Sequence, residues 1–441
     1  MNEHHNELSE QLNQTEDHFN ELKMEIDAQK RNPCNHTFMK QIDEWENQSI
    51  EKIHQLANEI RLELSSNVTR FATDLDTKLK QLTKEVIQCR QEQDFIDTDI
   101  QRCNEELKQL KDTLNSPPDF IIENEQTSFI NKIRLSLKVT LNANTKWMKN
   151  GVTVAGGNGQ DNGMNQLSNP HSLYVDDDQT VYIADFSNNR IMKVKYGETI
   201  GEVVAGGNGQ GKSSNQLSNP TDVIIDKVND SFIICDFGNK RVVRWPRQNG
   251  KNGETVISNI RCHGLTMDEN RFLYVADSEK HEVRRFRIGE NKGTIVAGGN
   301  GSGNRLDQLY YPTYVFVDRE HSVYVSDRCN HRVMKWMKDA KQGMIVAGGQ
   351  GQGNSLTQLS HPDGIFVDQS GNVYMSDRWN DRIMRWCQGA TQGSVIAGGN
   401  DRGNQLDQFY GPIGLSFDRE GNMYVTEDNN HRVQKFNNDQ S

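Results

Sequence analysis

The 441-residue sequence predicts an all-β six-bladed β-propeller preceded by a long α-helical coiled coil. A unit of about 50 residues recurs six times in the second half, each unit holds four short β-prone runs, and the first half carries an apolar heptad pattern. Four strands per unit of this length are typical of a propeller. The predicted segments are a helical or flexible stretch at 1–37, a coiled coil at 38–116, a linker at 117–149, the propeller at 150–437 and a tail at 438–441.

Two markers set the period of the repeat. An acidic residue ends the second strand of each unit, at Asp185, Asp236, Asp277, Asp327, Asp377 and Glu427. A proline opens five of the six units, at Pro170, Pro220, Pro312, Pro362 and Pro412. Cys262 stands in the opening position of the third unit, and the spacing before it shortens to about 42 residues. Six units in order predict six blades.

The two ends of the array predict how the ring closes. The array starts with a lone fourth-strand phrase at Val152–Gly156 and stops after a third strand at Arg432–Phe436. An unpaired strand edge is a site for another strand to add. The first strand is therefore expected to pair with the open edge of the last blade.

The coiled coil is predicted from apolar residues spaced three and four apart, at Leu79, Leu82, Val86, Cys89, Ile96, Ile100, Cys103, Leu107, Leu110 and Leu114. Charged residues fill the other positions, and Pro117 and Pro118 cannot continue the helix. One long helix cannot bury such a stripe alone, which favours self-association through this segment. A helix folded back on itself at Asn32 and Pro33 is the alternative.

Composition and charge exclude several classes of protein. The net charge of −11 argues against general attraction to nucleic acid or anionic lipid. No apolar run is long enough for a membrane span, and the first residues lack the apolar core of a secretory signal, so a cytoplasmic location is expected. Seven scattered cysteines without a CxxC pair indicate neither a disulfide framework nor a cysteine-rich zinc site.

Several phrases resemble the NHL repeat, namely Pro362–Asp368, Val373–Asp377, Asn380–Ile383, Asn330–Val333 and Asn189–Ile191. The resemblance covers the whole repeat array. A coil followed by such a propeller is similar to the C-terminal part of tripartite-motif (TRIM) proteins, but the RING and B-box zinc modules are lacking. The resemblance therefore implies a recognition propeller, and ubiquitin-ligase activity is not carried over.

Specific function is expected where the repeats differ. The residues after the strand-end acid vary most, and by propeller geometry these turns share one face with the connections between blades. Aromatic and arginine side chains on exposed loops are typical of protein-binding hot spots. The predicted partner-binding residues are Phe186, Phe237, Tyr310, Tyr311, Arg328, Arg378, Trp379 and Tyr410. The alternative is that some of these aromatics pack against neighbouring loops.

RNA binding is one alternative function, because it occurs among NHL propellers that this array resembles. Five basic side chains on the same loops could meet phosphates, namely Lys212, Arg305, Arg328, Arg378 and Arg402. Carboxylates are interspersed among them, and a phosphate-binding face should exclude most of those.

A metal-dependent lyase is the second alternative. His171, His263 and Asp363 follow the opening position of units one, three and five, so they would face one another around the channel. Two histidines and a carboxylate are a known zinc set. Peptide-amidating lyases, whose propeller resembles NHL repeats, hold a metal in their channel. The main prediction is a non-enzymatic adaptor without a cofactor, which self-associates through the coil and binds a protein through the propeller face.

Overall fold

The computed structural model describes residues 141–439 apart from 142, 249 and 291. Before them it describes 72–84, 120–125, 132–137 and isolated positions between 51 and 106. The chain divides into two compact units, Met1–Ser136 and Leu137–Ser441. Within the described part, no helix is both long enough and apolar enough to cross a bilayer.

Six four-stranded antiparallel sheets form the blades, and a few strands precede them. The preceding strands are β1 (Phe120–Glu125), β2 (Lys132–Leu137), β3 (Lys146–Trp147) and β4 (Val152–Gly156). Blade 1 contains β5 (Pro170–Val175), β6 (Val181–Asp185), β7 (Arg190–Val194) and β8 (Glu202–Gly206). Blade 2 contains β9 (Pro220–Asp226), β10 (Ser231–Asp236), β11 (Arg241–Pro246) and β12 (Glu254–Ser258). Blade 3 contains β13 (Cys262–Met267), β14 (Phe272–Asp277), β15 (Glu282–Arg287) and β16 (Thr294–Gly298).

The remaining blades repeat this order. Blade 4 contains β17 (Pro312–Val317), β18 (Val323–Asp327), β19 (Arg332–Trp336) and β20 (Met344–Gly348). Blade 5 contains β21 (Pro362–Val367), β22 (Val373–Asp377), β23 (Arg382–Trp386) and β24 (Ser394–Gly398). Blade 6 contains β25 (Pro412–Phe417), β26 (Met423–Glu427) and β27 (Arg432–Phe436), with β4 as its fourth strand. The prediction of a six-bladed propeller is confirmed.

The ring closes as its two ends predict. Strand β4 pairs antiparallel with β27, with Val152 opposite Lys435 and Gly156 opposite Arg432. A second short pairing joins β3 to β28 (Asn438–Asp439). The Trp147 indole is buried beside this pairing and donates its Nε1–H to the Gly421 carbonyl at 2.8 Å. Residues from both ends of the array therefore fasten blade 6.

The predicted long coiled coil is corrected. Apart from three single-turn 3-10 helices in the propeller, the described residues contain one helical stretch, at 72–84 with helical positions on either side. A coiled coil needs a second helix to receive its apolar residues. Seam residue Leu82 is buried, but Leu79 is 46% exposed. Most other seam residues, and all of 1–37, lie outside the described residues. A heptad pattern specifies an apolar stripe on one helix, and it does not by itself supply a partner for that stripe.

The apolar core lies between the blades. Its buried residues fall into six clusters, and each cluster joins side chains of neighbouring blades. Between blades 1 and 2, for example, Tyr182 packs against Phe232 with ring centroids 5.0 Å apart. Burying apolar area at every seam stabilises the ring and holds the blade turns at fixed positions.

An acid–arginine clamp recurs in five blades. In blade 5, Asp377 accepts hydrogen bonds from the Ser360 N–H at 2.6 Å and the Arg382 Nε–H at 2.7 Å. Arg382 donates further to the Asn354 carbonyl at 2.8 Å. The clamp therefore ties the turn after the second strand to the loop that enters the blade. The pairs are Asp185–Arg190, Asp236–Arg241, Asp327–Arg332, Asp377–Arg382 and Glu427–Arg432.

A second repeated contact joins one blade to the next. The residue before the third strand accepts a hydrogen bond from the backbone N–H of a residue just before the next blade's first strand. In blade 4 the acceptor is His331 Nδ1, and the donor is the N–H of His361 at 3.2 Å. The acceptors and donors are Asn189 and Asn219, His281 and Tyr311, His331 and His361, Asp381 and Gly411, and His431 and Asn169.

A disulfide between Cys235 and Cys262 joins blades 2 and 3, although the spacing of the cysteines indicated no disulfide framework. The two are 27 residues apart and belong to no short motif. Both nevertheless depart from the repeat, because Cys262 replaces the opening proline and Cys235 stands where blades 1 and 3 carry Ala184 and Ala276. Two cysteines that both depart from the repeat, in adjacent blades, are the feature of the sequence that could have indicated this disulfide.

Candidate functional site

The eight predicted site residues all lie at one face of the ring. Each blade's second and third strands are joined at this face, and the connections between blades run across it. We call it the upper face. The opposite, lower face carries the turns between the first and second strands. Within the upper face the eight residues separate into an exposed set and a half-buried set.

The exposed set, which we call the rim aromatics, consists of Tyr310, Trp379 and Tyr410. Their side chains are 47%, 53% and 37% exposed, respectively. Each ring nevertheless contacts a fixed neighbour, which limits its motion. The neighbours are His281 at 5.7 Å between ring centroids, His361 at 3.5 Å, and the Arg402 guanidinium at 4.7 Å from the ring centroid.

Three other predicted aromatics surround two channel histidines. The Phe186 ring stacks on His171 with centroids 4.2 Å apart and planes 7° from parallel. The rings of Phe237 and Tyr311 lie 5.8 and 6.3 Å from His263. These aromatics are half-buried, so the alternative that some pack against their neighbours describes them better than it describes the rim aromatics.

The two predicted arginines meet a buried carboxylate from blade 5. Asp363 is fully buried, with Arg378 Nη1 3.4 Å from its Oδ2 and Arg328 Nε 3.9 Å from its Oδ1. Arg378 also donates through Nη2 to the buried Asp428. Burial raises the pKa of Asp428, and the Arg378 charge opposes that rise. Among the described residues, Arg378 is thus paired with two carboxylates, whereas Arg328 has only the longer contact.

The two channel histidines are neutral near pH 7. Burial lowers the pKa of His171 well below its ordinary value, and the nearby His263 and Arg378 lower it further. Burial is also the main cause of the lowered pKa of His263, followed by the charges of Arg328 and Arg378. A neutral imidazole presents one N–H donor and one acceptor nitrogen.

The residues of the zinc alternative, His171, His263 and Asp363, are not grouped as metal ligands. His171 and His263 do approach each other, with ring centroids 5.9 Å apart. Asp363 faces two guanidinium groups, as described above. In the part of the chain that the structure describes, no three or more His, Cys, Asp or Glu side chains are grouped so as to hold a metal ion.

Tyr314 lies in the channel beneath the histidines, and the sequence argument missed its role. Its side chain is 6% exposed, and its ring centroid is 5.5 Å from that of His263. Burial first, and then the carboxylates of Asp222 and Asp363, raise the pKa of Tyr314 well above its ordinary value. The feature of the sequence that could have indicated Tyr314 is its size, because the equivalent residues of blades 3, 5 and 6 are glycines. A Cβ on Gly264 would lie 2.9 Å from the Tyr314 Cα, so this close approach requires glycine.

The lower face holds a cavity of about 760 Å³ that none of the predicted site residues lines. Its wall includes Phe316, Phe366 and Phe417 from blades 4, 5 and 6. Charged side chains of both signs stand around them, among them Asp318 and Arg319. The predicted site and this cavity are therefore at opposite ends of the channel.

The sequence family described as the NHL repeat matches residues 167–193, 260–286 and 409–436. This chain's propeller contains NHL repeats. The matched segments fall in blades 1, 3 and 6, and blades 2, 4 and 5 have the same strand order. No curated protein is similar enough in sequence to count as a relative. The resemblance to TRIM proteins is not among these findings.

Similar solved structures share the fold at low sequence identity. A structural genomics protein of unknown function from Bacteroides thetaiotaomicron has 16% identity and a TM-score of 0.53, covering 74% of this chain and 91% of that chain. An auxiliary nutrient binding protein from the same organism has 17% identity and a TM-score of 0.54, covering 73% and 82%. A virginiamycin B lyase from Staphylococcus aureus has 12% identity and a TM-score of 0.43, covering 63% and 98%. The first two comparisons establish the fold alone, and the third carries no argument.

Proposed function

We propose that the NHL propeller is a non-enzymatic recognition module that acts as an adaptor and binds a polypeptide through its upper face. The observation that carries the proposal is the exposure of the rim aromatics Tyr310, Trp379 and Tyr410 at the upper face. Tyrosine and tryptophan are enriched in protein–protein interfaces, where they contribute a large share of the binding energy. Because each ring already rests on a neighbour, binding would lose little side-chain entropy.

The charges of the upper face favour a protein partner over RNA. Arg378 is paired with Asp363 and Asp428, as described above. Arg402 donates to Asp381 at 2.9 Å, and Arg305 pairs with Asp307 at 2.9 Å. A surface that binds phosphates needs cations free to neutralise them. Three of the five basic side chains considered for RNA are therefore already engaged by carboxylates.

The test compares captured partners between two triple alanine variants of the full chain. One replaces the rim aromatics. The matched control replaces three large, exposed side chains of the lower face, Tyr196, Ile200 and Val228, which are 67%, 64% and 57% exposed. We expect the rim variant to lose more than tenfold in affinity for a captured polypeptide, and the control to retain it. Equal binding by the rim variant and the unaltered chain would refute the proposal.

A further inference from the structure

The lower-face cavity has a row of aromatic rings in its wall. Phe316, Phe366 and Phe417 come from three successive blades, and each is only half-buried. Neighbouring rings lie side by side, with centroids 5.5 Å apart between Phe316 and Phe366 and 4.7 Å apart between Phe366 and Phe417. A cavity of about 760 Å³ is within the size range of small-molecule sites, which combine apolar walls with a few polar groups. The cavity therefore offers an accessible apolar surface to a ligand.

A comparison between blades 6 and 4 shows which polar groups of this cavity lack a partner. Both blades carry the same turn, Asp-Arg-Glu, after the first strand. In blade 6 both charged side chains of the turn bind the next blade around the ring, which is blade 1. Arg419 Nη2 lies 2.5 Å from Asp177 Oδ2, and Glu420 Oε1 accepts a hydrogen bond from Gln179 Nε2 at 3.2 Å. Blade 1 thus supplies an acid to the arginine and an N–H donor to the glutamate.

In blade 4 the same turn faces a blade that supplies neither group. Its charged residues are Arg319 and Glu320, and the residues of blade 5 in the positions of the two blade 1 partners are Gln369 and Gly371. All four line the cavity, and the first three are exposed. Among the described residues, neither the Arg319 guanidinium nor the Glu320 carboxylate has a hydrogen-bond or ion-pair partner. An acid and a donor are therefore missing at this edge of the cavity.

The other charged side chains of the cavity wall are already held. Asp368 accepts hydrogen bonds from the Tyr374 hydroxyl at 3.0 Å and from Asn372 Nδ2 at 2.8 Å. The remaining carboxylates have cationic partners, in the pairs Asp176–Arg247, Asp177–Lys227, Asp318–Lys335 and Asp418–Lys435. One cation and one anion, adjacent in the chain, are left to bind a ligand.

We propose that the lower-face cavity binds a free α-amino acid with an aromatic side chain. Its carboxylate binds the Arg319 guanidinium through two parallel hydrogen bonds, in the role that Asp177 has for Arg419. Its ammonium donates to the Glu320 carboxylate, in the role that Gln179 has for Glu420. Its ring packs on the exposed edges of Phe316 and Phe366, where aromatic pairs are favourable.

Ligands with a single charge match the cavity less well. An aromatic carboxylate without an amine leaves Glu320 unpaired and brings a second negative charge close to it. An aromatic amine without a carboxylate leaves Arg319 unpaired and places two cations together. Like charges at short distance repel, whereas a zwitterion meets each group with the opposite sign. A small polar amino acid satisfies both charges but leaves the phenylalanine rings in water.

The test measures the binding of three related compounds to the full chain by isothermal titration calorimetry. They are L-tryptophan, L-tryptophanamide, which lacks the carboxylate, and N-acetyl-L-tryptophan, which lacks the ammonium. We expect L-tryptophan to bind at least tenfold more tightly than either derivative. In Arg319→Gln the ratio of affinities between L-tryptophan and its amide should fall towards one. In Glu320→Gln the ratio between L-tryptophan and its N-acetyl derivative should do the same.

Two further variants use the comparison between the blades. Glu420→Gln changes the same position of the turn in blade 6, where the side chain is held by Gln179, and it should leave all three affinities unchanged. Gln369→Asp gives blade 5 the acid that blade 1 carries at Asp177. That acid should pair with Arg319, compete with the ligand carboxylate and weaken L-tryptophan binding at least tenfold.

Several results would overturn the proposal. They are the absence of binding at millimolar L-tryptophan, equal affinity for L-tryptophan and its amide, or unchanged ratios in folded Arg319→Gln and Glu320→Gln variants. Tighter binding of the amide than of L-tryptophan, lost in Glu320→Gln, would identify a site for organic cations instead. Circular dichroism confirms that each variant is folded before its affinities are interpreted.

Discussion

Blades 5 and 3 solve the same structural problem in different ways. In blade 5, Asp377 and Arg382 form the clamp between the turn and the incoming loop. In blade 3 the arginine is replaced by Glu282, which accepts from the Arg284 Nε–H at 2.5 Å. Asp277 keeps hydrogen bonds from two turn N–H groups, while its buried Oδ2 has no hydrogen-bond partner among the described residues. The fold therefore persists in a blade without the clamp.

The seam between blades 2 and 3 carries bonds that replace the missing clamp. The Cys235–Cys262 disulfide crosses it. Asp222 of blade 2 also accepts a hydrogen bond from the Leu265 N–H of blade 3 at 2.8 Å. Burial raises the pKa of Asp222 to about 7. The comparison shows that the clamp is one of several contacts that can hold a blade in place. A blade can lack it where a disulfide and hydrogen bonds join that blade to its neighbour.

Removing the acid of the clamp should give the largest difference between the two blades. Asp377→Ala leaves the buried Arg382 guanidinium unpaired, so we expect a loss of about 3–5 kcal/mol in the free energy of unfolding. The cationic partner of Asp277 is Lys280, 3.7 Å away and half exposed, so Asp277→Ala should cost only about 1 kcal/mol. Urea denaturation at pH 7 measures both. Equal losses would show that the clamp does not distinguish the blades.

Removing the disulfide should have a somewhat smaller effect. Cys235→Ala with Cys262→Ala frees a loop of 27 residues, and we expect a loss of about 3 kcal/mol in unfolding free energy. The alanine at 235 fits the seam, because blades 1 and 3 carry alanine there. Replacing the free cysteines Cys329 and Cys387 by serine is the control. A reductant should destabilise the control but not the Cys235/Cys262 variant, and insensitivity of both would contradict the prediction.

The smallest expected effect concerns the contact between blades 4 and 5. Burial lowers the pKa of His331, whose Nδ1 must stay unprotonated to accept the His361 N–H. Because the folded-state pKa is below the unfolded value of about 6.5, this stability is present above pH 6.5 and lost as the pH falls through the folded-state pKa.

Asparagine offers a test of this contact, since Asn189 makes the same bond in blade 1 at 2.9 Å. The free energy of unfolding of His331→Asn should equal that of the unaltered chain at pH 7. Between pH 7 and pH 5 it should fall by about 1 kcal/mol less than that of the unaltered chain. Thermal denaturation across this range measures the difference. His54→Asn, at an exposed helical position, should leave the profile unchanged. If His331→Asn has the same pH dependence of stability as the unaltered chain, other groups cause the loss of stability in acid.

The repeat made the fold predictable, because six units give six readings of the same pattern. The opening prolines and strand-end acids located every blade, and the unmatched strand at Val152 indicated the closure. The predicted coiled coil was wrong because the heptad pattern describes one helix and not its partner. The disulfide escaped prediction because Cys235 and Cys262 become neighbours only when blades 2 and 3 pack together.

The site was less predictable than the fold. Adjacent residues such as Arg378 and Trp379 share a turn, yet one is paired with buried carboxylates and the other is exposed. Sequence distance cannot separate them, because side-chain direction in a turn depends on the local backbone. Tyr314 departs from the repeat in size, but its place in the channel depends on how closely blade 3 approaches at Gly264.

Closure by β4 has a consequence for synthesis on the ribosome. Among the blade strands β4 is made first, and its partner β27 follows about 280 residues later. At about 5–20 residues per second, this delay amounts to roughly 15 to 55 seconds. Throughout that interval β4 lacks its pairing partner, because the three other strands of blade 6, β25 to β27, are the last of the blade strands to be made. The nascent chain therefore carries an unpaired strand edge until its last blade emerges, and we expect chaperones that shield strand edges to bind it.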